Sequence, residues 1–229
     1  MRAINLMFHD VKINPSRWNT TPERFIEIME RIATHPNKEK VTITVDDAGK
    51  GNHQFMLPVF KNLGLKVYVF VPTCFISKGS DKSTYMSASQ IKEFADEGHI
   101  VGSHSHTHPK NISLLSMNEI ANEWKQSKEI LENITDKEVV SGSIPGGFYS
   151  YSQLNIIKDL GYKEIFNSIP TFKEKNLGNV KIAGRFSIEN HTTNADLEQI
   201  LKMAPWYQKK LQMRQKLSQT YHTLKHKLK

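Results

Sequence analysis

Short apolar runs typical of β-strands alternate with segments of helical period along most of this chain. The candidate strands are Ile4 to Phe8, Val41 to Val45, Val67 to Val71, His99 to Ser103, Val139 to Ser143, Glu164 to Ser168 and Val180 to Ile188. The candidate helices between them are Pro22 to Ala33, His53 to Leu63, Ser87 to Glu97, Ser116 to Asn133 and Ser150 to Leu160. Repeated strand-helix units predict parallel strands with crossover helices, in either a βα barrel or an open doubly wound sheet.

The length and residue usage favour one α/β domain. A chain of 229 residues is long enough for one sizeable core and short for two. It contains no apolar stretch of the roughly 18 residues that span a bilayer, and its start turns polar too early for a signal peptide. We therefore expect a cytoplasmic protein. One cysteine, Cys74, excludes an internal disulfide and a cysteine-rich zinc site.

The positive net charge is concentrated at the carboxyl end. Eight basic residues and no acidic residue follow Glu198, whereas the rest of the chain is formally neutral. This distribution, without a recognisable nucleic-acid-binding motif, argues against nucleic acid as a partner. We predict a domain over residues 1–204 and a basic amphipathic helix over residues 205–229.

The apolar positions of this predicted helix are Met213, Leu217, Tyr221, Leu224 and Leu228. One interpretation packs this apolar face on the domain and leaves the lysines in water. The other is peripheral attachment to anionic lipid at the inner face of the membrane, where Trp206 and Tyr207 would suit the interface.

Polar residues follow several of the predicted strands, at the edge where α/β folds place their working residues. Asp46 and Asp47 come directly after Val41 to Val45. Adjacent carboxylates at a strand end point in different directions, so one could bind a cation while the other handles a proton. Alternatively, Asp47 caps the next helix or begins the turn through Gly49.

Three histidines alternate in the segment from His104 to Pro109, which follows another predicted strand. Pro109 biases His108 away from helical geometry, so we expect a turn or an irregular loop. Two imidazoles and one carboxylate form the ligand set that catalytic zinc uses, with coordination positions left open. The pattern predicts metal binding at this edge of the sheet.

These segments resemble the first two motifs of the polysaccharide deacetylases, the NodB-homology domain of carbohydrate esterase family 4. Thr44-Val-Asp-Asp47 is similar to the family pattern Thr-Phe-Asp-Asp-Gly, and His104 to Pro109 to the pattern His-Ser/Thr-x-x-His-Pro. Further similar features are His9-Asp10, Phe70-Val-Pro72 and Gly98-His-x-x-Gly102. The resemblance covers roughly residues 4–200 and implies a distorted or incomplete (β/α) barrel of about seven parallel strands.

The resemblance also implies the roles of individual residues. Asp47, His104 and His108 would bind a divalent metal, most simply Zn²⁺, with Co²⁺, Ni²⁺ or Fe²⁺ as alternatives. Asp46 would be the general base. The third family motif, Arg-x-Pro-Tyr/Gly-Gly, matches Ser143-Ile-Pro-Gly-Gly147, so the backbone N–H of Gly146 would donate to the oxyanion.

Two positions depart from the family pattern. Ser143 stands where the family has the arginine that orients the catalytic aspartate. His191 is a loose match to the late histidine that serves the family as general acid, and His9, His106 or a water could take that role.

The expected function is removal of N-acetyl, or less readily O-acetyl, groups from a carbohydrate. Phe166-Asn-Ser-Ile-Pro170 and Gly184-Arg-Phe-Ser187 resemble segments of bacterial deacetylases of surface or exopolysaccharide synthesis, which implies an N-acetylated glycan or lipid-linked sugar as substrate. Arg185 could contact an anionic group on such a substrate or pair with a carboxylate of the fold. The alternatives are a catalytically weak, metal-containing relative that binds glycans, and a membrane-surface adaptor that acts through the basic tail.

Overall fold

The structure is a computed structural model that describes residues 2–77 and 83–227, with side chains as far as Leu217. The strands are β1 Ile4–Phe8, β2 Val41–Val45, β3 Tyr68–Val71, β4 Ile100–Ser103, β5 Ser141–Ser143, β6 Glu164–Asn167, β7 Lys175–Leu177, β8 Val180–Gly184 and β9 Phe186–Ser187. The helices are α1 Pro22–Thr34, α2 Leu57–Asn62, α3 Ala88–Asp96, α4 Met117–Thr135, α5 Tyr151–Asp159, α6 Asn194–Leu201 and α7 Pro205–Lys227. A π-helical segment, Asn52–Met56, leads into α2.

The strands form a curved, mostly parallel sheet in the order β7-β8-β6-β5-β4-β3-β2-β1-β9. β8 is second from one end of this order, next to β7, and β9 is at the other end, yet Arg185 alone separates β8 and β9 in the chain. β8 pairs with β6, and β9 pairs with β1. One bent strand therefore joins the two ends of the sheet, which makes a distorted (β/α) barrel and confirms the expected fold class.

The segment before β8 contributes a short antiparallel strand and a bridge to the start of the chain. β7 pairs with β8 in antiparallel fashion, and Arg2 bridges to Lys173 just before β7. The prediction missed β7 because its three residues are largely exposed and show no apolar alternation. The strand predicted from Val180 to Ile188 corresponds to the bent pair β8 and β9.

Helix α1 illustrates how the outer layer covers the barrel. Thr21 caps its first turn by accepting from the Arg24 N–H, and Pro22 occupies the first helical position, where a missing N–H costs nothing. The side chains of Phe25, Ile28, Met29 and Ile32 recur at helical spacing and are buried in the core. A separate buried cluster of Phe70, Phe166 and Ala183 comes from β3, β6 and β8.

Helix α7 lies against the segment that follows β6. Its inward face makes both apolar and polar contacts: Tyr207 and Leu211 pack on the core, and the side chains of Gln208, Gln212 and Gln215 hydrogen-bond to residues 168–172. Met213 and Leu217 are 66% and 71% exposed, so the apolar face predicted for this helix does not pack on the domain at these two positions. Tyr221, Leu224 and Leu228 lie outside the residues whose side chains are described. The boundary at residue 204 stays a prediction.

None of the helices in the described ranges combines the length and the apolar character needed to cross a bilayer.

Candidate active site

The two adjacent aspartates leave the end of β2 in different environments. Asp46 continues the ladder with β1, since its N–H donates to the carbonyl of Phe8 at 2.9 Å, and its side chain is buried. The chain then turns through left-handed geometry, with φ of 72° at Asp47 and 52° at Ala48. Such a conformation is strained for residues with a side chain and is concentrated at functional sites. The turn separates the two carboxylates, as the sequence suggested.

Asp10, two residues after β1, packs closely against this turn. A Cβ atom at Gly49 would lie 2.3 Å from the Asp10 carboxyl carbon, and one at Gly51 would lie 1.9 Å from the Val11 carbonyl oxygen. Both positions therefore require glycine for close packing. Burial raises the pKa of Asp10, and the Lys12 charge and the Val11 N–H partly offset this rise.

The histidine segment forms an irregular loop after β4, as Pro109 led us to expect. Ser105 and His108 have φ of 61° and 56°, and the Ser105 hydroxyl accepts from the His108 N–H at 3.2 Å. Glu123 of α4 holds the loop by accepting from the N–H groups of His106 and Thr107 and from the Thr107 hydroxyl, at 2.7–2.9 Å. The loop conformation is thus secured from a neighbouring helix.

Asp47, His104 and His108 converge at the carboxyl edge of the barrel. Their potential ligand atoms all lie within 4.8 Å of one another. Asp47 Oδ1 is 3.6 Å from His104 Nε2 and 3.3 Å from His108 Nε2. Tetrahedral zinc with bonds of about 2.0–2.1 Å separates its ligands by roughly 3.3 Å, which is close to both distances from Asp47 Oδ1.

Two further observations agree with a cation at this position. Asp47 Oδ1 is buried and makes no hydrogen bond within the described structure. Burial raises the pKa of Asp47 and the Asp46 charge adds to this effect, although His9 opposes it. A bound cation would stabilise the ionised form of this carboxyl group.

His104 is oriented for ligation by its other ring nitrogen. Its Nδ1 lies 2.8 Å from the Ser143 carbonyl oxygen. Because a carbonyl oxygen can only accept, Nδ1 carries the proton. The lone pair of Nε2 is then free on the side of Asp47 and His108, where a metal would bind. Burial lowers the pKa of His104 to about 3, against the opposing charge of Asp46. Burial likewise lowers the pKa of His108. Both imidazoles are therefore neutral near pH 7, as metal ligation requires.

Asp46 is held by Arg185, which lies at the bend between β8 and β9. The guanidinium donates to both carboxylate oxygens, at 2.7 and 2.8 Å, and both side chains are buried. Arg185 also donates to the hydroxyls of Thr44 and Ser143 and to the Asn167 carbonyl. Of the two roles considered for Arg185, the structure shows the carboxylate pair.

This ion pair decides the charge state of Asp46. Burial by itself would raise the pKa of this carboxyl group, but the charge and the hydrogen bonds of Arg185 hold that pKa well below the usual range. The Ser143 hydroxyl completes the arrangement by donating to Asp46 Oδ2 at 3.2 Å. An arginine therefore does orient Asp46 in this chain, although Ser143 occupies the expected position in the sequence.

Gly146 lies in the turn after β5, next to the loop that carries His108. Its φ is 64°, and a Cβ atom there would lie 2.4 Å from the Lys110 carbonyl oxygen. Backbone therefore fills the space that a side chain at this position would occupy, so the turn requires glycine. Its assignment as an oxyanion donor stays a prediction.

The two candidate proton donors, His191 and His9, occupy different surroundings. The His191 side chain is 66% exposed and its Nδ1 lies 3.5 Å from Glu189, which also pairs with Arg17. His9 follows β1 beside Asp46, and its Nδ1 is buried without a hydrogen-bond partner in the described structure. Its ring lies 5.6 Å from that of Trp18. His106 instead makes a 2.8 Å hydrogen bond with Thr73.

Comparison with known proteins agrees with this arrangement. A profile of the polysaccharide deacetylase family matches residues 33–165, which include Asp46, Asp47, His104 and His108. The protein YxkH of Bacillus subtilis (strain 168), named as a candidate polysaccharide deacetylase, is 28% identical over 128 residues, covering 56% of this chain and 44% of that protein. The chain spans about half the length of the curated relatives it matches.

Solved structures share the fold. The deacetylase PplD of Streptococcus pyogenes, solved in complex with acetate, superimposes with a TM-score of 0.70 at 19% identity, covering 88% of this chain and 98% of that one. IcaB of Ammonifex degensii gives a TM-score of 0.72 at 17% identity, covering 90% and 97%. With the family profile covering more than half of its length, this chain belongs to the polysaccharide deacetylase family.

Proposed function

We propose that this protein is a metal-dependent hydrolase that removes N-acetyl groups, or less readily O-acetyl groups, from a carbohydrate. One observation carries the proposal: Asp47, His104 and His108 converge within 4.8 Å beside an aspartate that Arg185 keeps ionised. This arrangement combines a candidate ligand set that leaves positions open with a separate base.

Asp47, His104 and His108 would hold the metal, with Zn²⁺ as the first choice and Co²⁺, Ni²⁺ or Fe²⁺ as alternatives. When bound, such an ion lowers the pKa of a coordinated water and polarises a carbonyl oxygen. The Ser143 carbonyl would fix the ring of His104 throughout the reaction.

Asp46 would act as the general base. A carboxylate offers about four lone-pair positions, and three are used by the two Arg185 nitrogens and the Ser143 hydroxyl. One position remains for the proton of the attacking water. Because Arg185 fixes both oxygens, the base would need no reorientation during proton transfer.

The developing oxyanion and the leaving amine each need a donor. The Gly146 N–H is our candidate for the oxyanion, since its turn lies next to the His108 loop. For the leaving group we retain His191 as the family-derived candidate and keep His9 as the alternative. His9 directly follows β1, and its buried Nδ1 has no hydrogen-bond partner in the described structure.

The substrate we propose is an N-acetylated glycan of bacterial surface polysaccharide metabolism, either free or lipid-linked. It rests on the similarity of residues 166–170 and 184–187 to segments of surface-polysaccharide deacetylases. A cytoplasmic location, including the inner face of the membrane, is proposed with it, and nucleic acid is not proposed as a partner. The contact of Arg185 with Asp46 favours this proposal over a catalytically weak relative, because an arginine orients Asp46 despite Ser143.

Acetate release from a panel of N-acetylated oligosaccharides tests the proposal. We expect release by the purified protein, its loss on treatment with chelator, and its recovery after Zn²⁺ is added. Asp46→Asn is expected to bind Zn²⁺ like the parent protein but to release little acetate. If the parent protein bound Zn²⁺ and glycan yet released no acetate from any substrate, the glycan-binding alternative would replace this proposal.

The proton donor is tested separately with His9→Gln and His191→Gln. We expect the true donor's substitution to lower kcat strongly for N-acetyl substrates, whose amine must be protonated. It should have a much smaller effect on an activated acetyl ester, whose leaving group needs no proton. The other substitution should leave both rates nearly unchanged.

A further inference from the structure

Helix α7 presents an exposed apolar stripe on the side opposite its contacts with the barrel. Trp206, Met213 and Leu217 are 58%, 66% and 71% exposed. At 3.6 residues per turn these three positions fall within about 40° of one another around the helix axis. Singly exposed apolar side chains are common, but three aligned along one helix form a candidate contact surface.

Basic residues border this stripe on both sides. Lys209 and Lys216 fall on one side of it, and Lys210 and Arg214 fall on the other, by the same helical geometry. In the sequence, the residues after Leu217 include two leucines, Leu224 and Leu228, and three lysines, Lys225, Lys227 and Lys229. A central apolar stripe with flanking cations is the pattern of helices that lie in the interface of an anionic membrane.

The polar contacts of the opposite face set the direction of α7. The Phe172 N–H donates to Gln208, Gln212 donates to the Pro170 carbonyl, and Gln215 donates to the Ser168 carbonyl, at 2.9–3.1 Å. Successive turns of the helix thus contact successively earlier residues. Phe172 pairs with Ala3 at the amino-terminal edge of the barrel, whereas Ser168 follows β6 at the carboxyl edge.

The carboxyl-terminal half of α7 therefore extends from the catalytic edge. Ser168 also lies against the candidate oxyanion turn, since a Cβ atom at Gly147 would come 2.0 Å from the Ser168 hydroxyl oxygen. About twelve residues of α7 follow Gln215, which corresponds to roughly 18 Å of helix. A membrane bound by the carboxyl-terminal half of α7 would therefore lie beside the opening of the candidate active site.

We infer that α7 docks the protein on an anionic lipid bilayer and brings the catalytic edge to glycans held at that surface. The second part rests on the proposed deacetylase function. Two other partners fit this surface less well. A second copy would bring two strongly basic faces together, because no acidic residue follows Glu198. Nucleic acid would pair with the cations but would leave the central apolar stripe without a contact.

Vesicle co-sedimentation of the full chain tests the docking. Vesicles of phosphatidylcholine with about 30% phosphatidylglycerol should bind the protein, whereas phosphatidylcholine alone should bind it at least tenfold less. Raising the salt from about 0.1 to 0.5 M should weaken binding strongly. Both Met213→Gln/Leu217→Gln and Lys209→Gln/Arg214→Gln should reduce binding at least tenfold. The matched control Ile26→Gln/Leu63→Gln changes two exposed apolar residues elsewhere and should bind like the parent protein.

Several outcomes would overturn the docking. These are equal binding to both vesicle types, retention of binding by both α7 variants, and a loss of binding by the control as large as theirs. A second outcome would be equally decisive: the parent protein is a dimer in sedimentation velocity, Met213→Gln/Leu217→Gln is a monomer, and neither binds vesicles. Strong binding to a DNA duplex without binding to vesicles would also exclude a lipid surface as the partner.

Acetate release separates this inference from the proposed function. The parent protein should act on an N-acetylglucosamine oligosaccharide attached to a lipid in the anionic vesicles and on the same oligosaccharide free in solution. The α7 variants should lose at least tenfold on the anchored substrate and keep the rate on the free one. Equal rates of parent and variants on the anchored substrate would overturn the surface role, whereas no release from either substrate by the parent would instead reject the deacetylase proposal.

Discussion

At the scale of single residues, the structure shows how Asp46 keeps an arginine partner without the arginine of the third family motif. Arg185 reaches Asp46 from the bend between β8 and β9, and the small Ser143 leaves room for its guanidinium while donating a hydrogen bond of its own. Arg185 also lies near the faces of the Phe70 and Phe166 rings, which line the interior beneath it. The geometry assigns Arg185 as a positioning residue.

We expect Arg185→Lys to lower kcat for acetate release on the order of 100-fold with little change in KM. Lysine keeps the positive charge but loses the two-point contact, and a small misplacement of a base has an effect of this size. Arg185→Met should in addition lower the free energy of unfolding by about 3–5 kcal/mol, because it leaves Asp46 buried without its cation. Steady-state kinetics and urea unfolding measure the two effects. Equal kcat in the parent protein and Arg185→Lys would contradict the positioning role.

Glu123 provides a second residue-scale test, because it holds the loop that carries His108 through hydrogen bonds to His106 and Thr107. Glu123→Gln would replace a carboxylate that accepts three hydrogen bonds with an amide that accepts fewer. We expect zinc affinity to fall about 10- to 100-fold, as for other partners that orient metal ligands. Competition with a chelating dye measures this affinity. Glu129→Gln, also on α4, is the matched control, and an equal loss in both variants would exclude the specific role.

Residue patterns in the sequence could identify the candidate metal ligands but not Arg185 as the partner of Asp46. Asp47, His104 and His108 each follow a predicted strand, and parallel strands bring such positions to one edge. Arg185 and Asp46 are 139 residues apart, and no local pattern connects them. Two signals could have suggested the pairing: an arginine in the middle of a predicted strand, and the absence of the arginine expected at Ser143.

At the scale of secondary structure elements, α1 and α6 are joined by a charged network whose contribution depends on pH. Glu27 of α1 accepts from Asn194, Arg24 and Arg31, and Arg24 also donates to the Thr192 carbonyl. These hydrogen bonds, chiefly from Asn194 and then Arg24, lower the pKa of Glu27 from 4.5 to about 2. The network ties the start of α6 to the first helix of the barrel.

We predict that Glu27→Gln destabilises the protein near pH 7 and that this effect disappears in acid. The folded pKa of Glu27 is depressed, so its contribution is complete above about pH 5 and is lost as the pH falls toward 2. Urea unfolding of the parent and the variant between pH 7 and pH 2.5 would show the two midpoints approach each other. Glu30→Gln, on the exposed side of α1, serves as the control. A midpoint difference that stayed constant with pH would contradict the assignment.

The strength of each element's own pattern decided how well it could be predicted. Helix α1 combines a cap, a first-turn proline and apolar residues at helical spacing, and its start is Pro22 as predicted. The bend at Arg185 has no such local signal. It arises because β8 and β9 pair with different ends of the same sheet, which is a property of barrel closure rather than of residues 180–187.

At the scale of the whole molecule, the candidate metal site joins parts of the fold that are distant in sequence. Asp47 follows β2, the two histidines follow β4, and Ser143 at the end of β5 orients His104. The unfolded chain does not hold these groups together, so a ligand that binds all three stabilises the folded state by mass action. Stability therefore reports on the site without reference to catalysis.

We expect Zn²⁺ to raise the midpoint of thermal unfolding of the chelator-treated protein. At a free concentration of 100 times Kd the stabilisation is about 2.7 kcal/mol, which for a chain of this size corresponds to roughly 5–11 °C. His108→Ala should abolish most of this rise, and because the His108 side chain is 26% exposed, the variant should still fold. Differential scanning calorimetry of both proteins, with and without Zn²⁺, measures the shift. An equal rise in His108→Ala would mean that zinc stabilises the fold from another place, such as the exposed pair of His53 and Glu93.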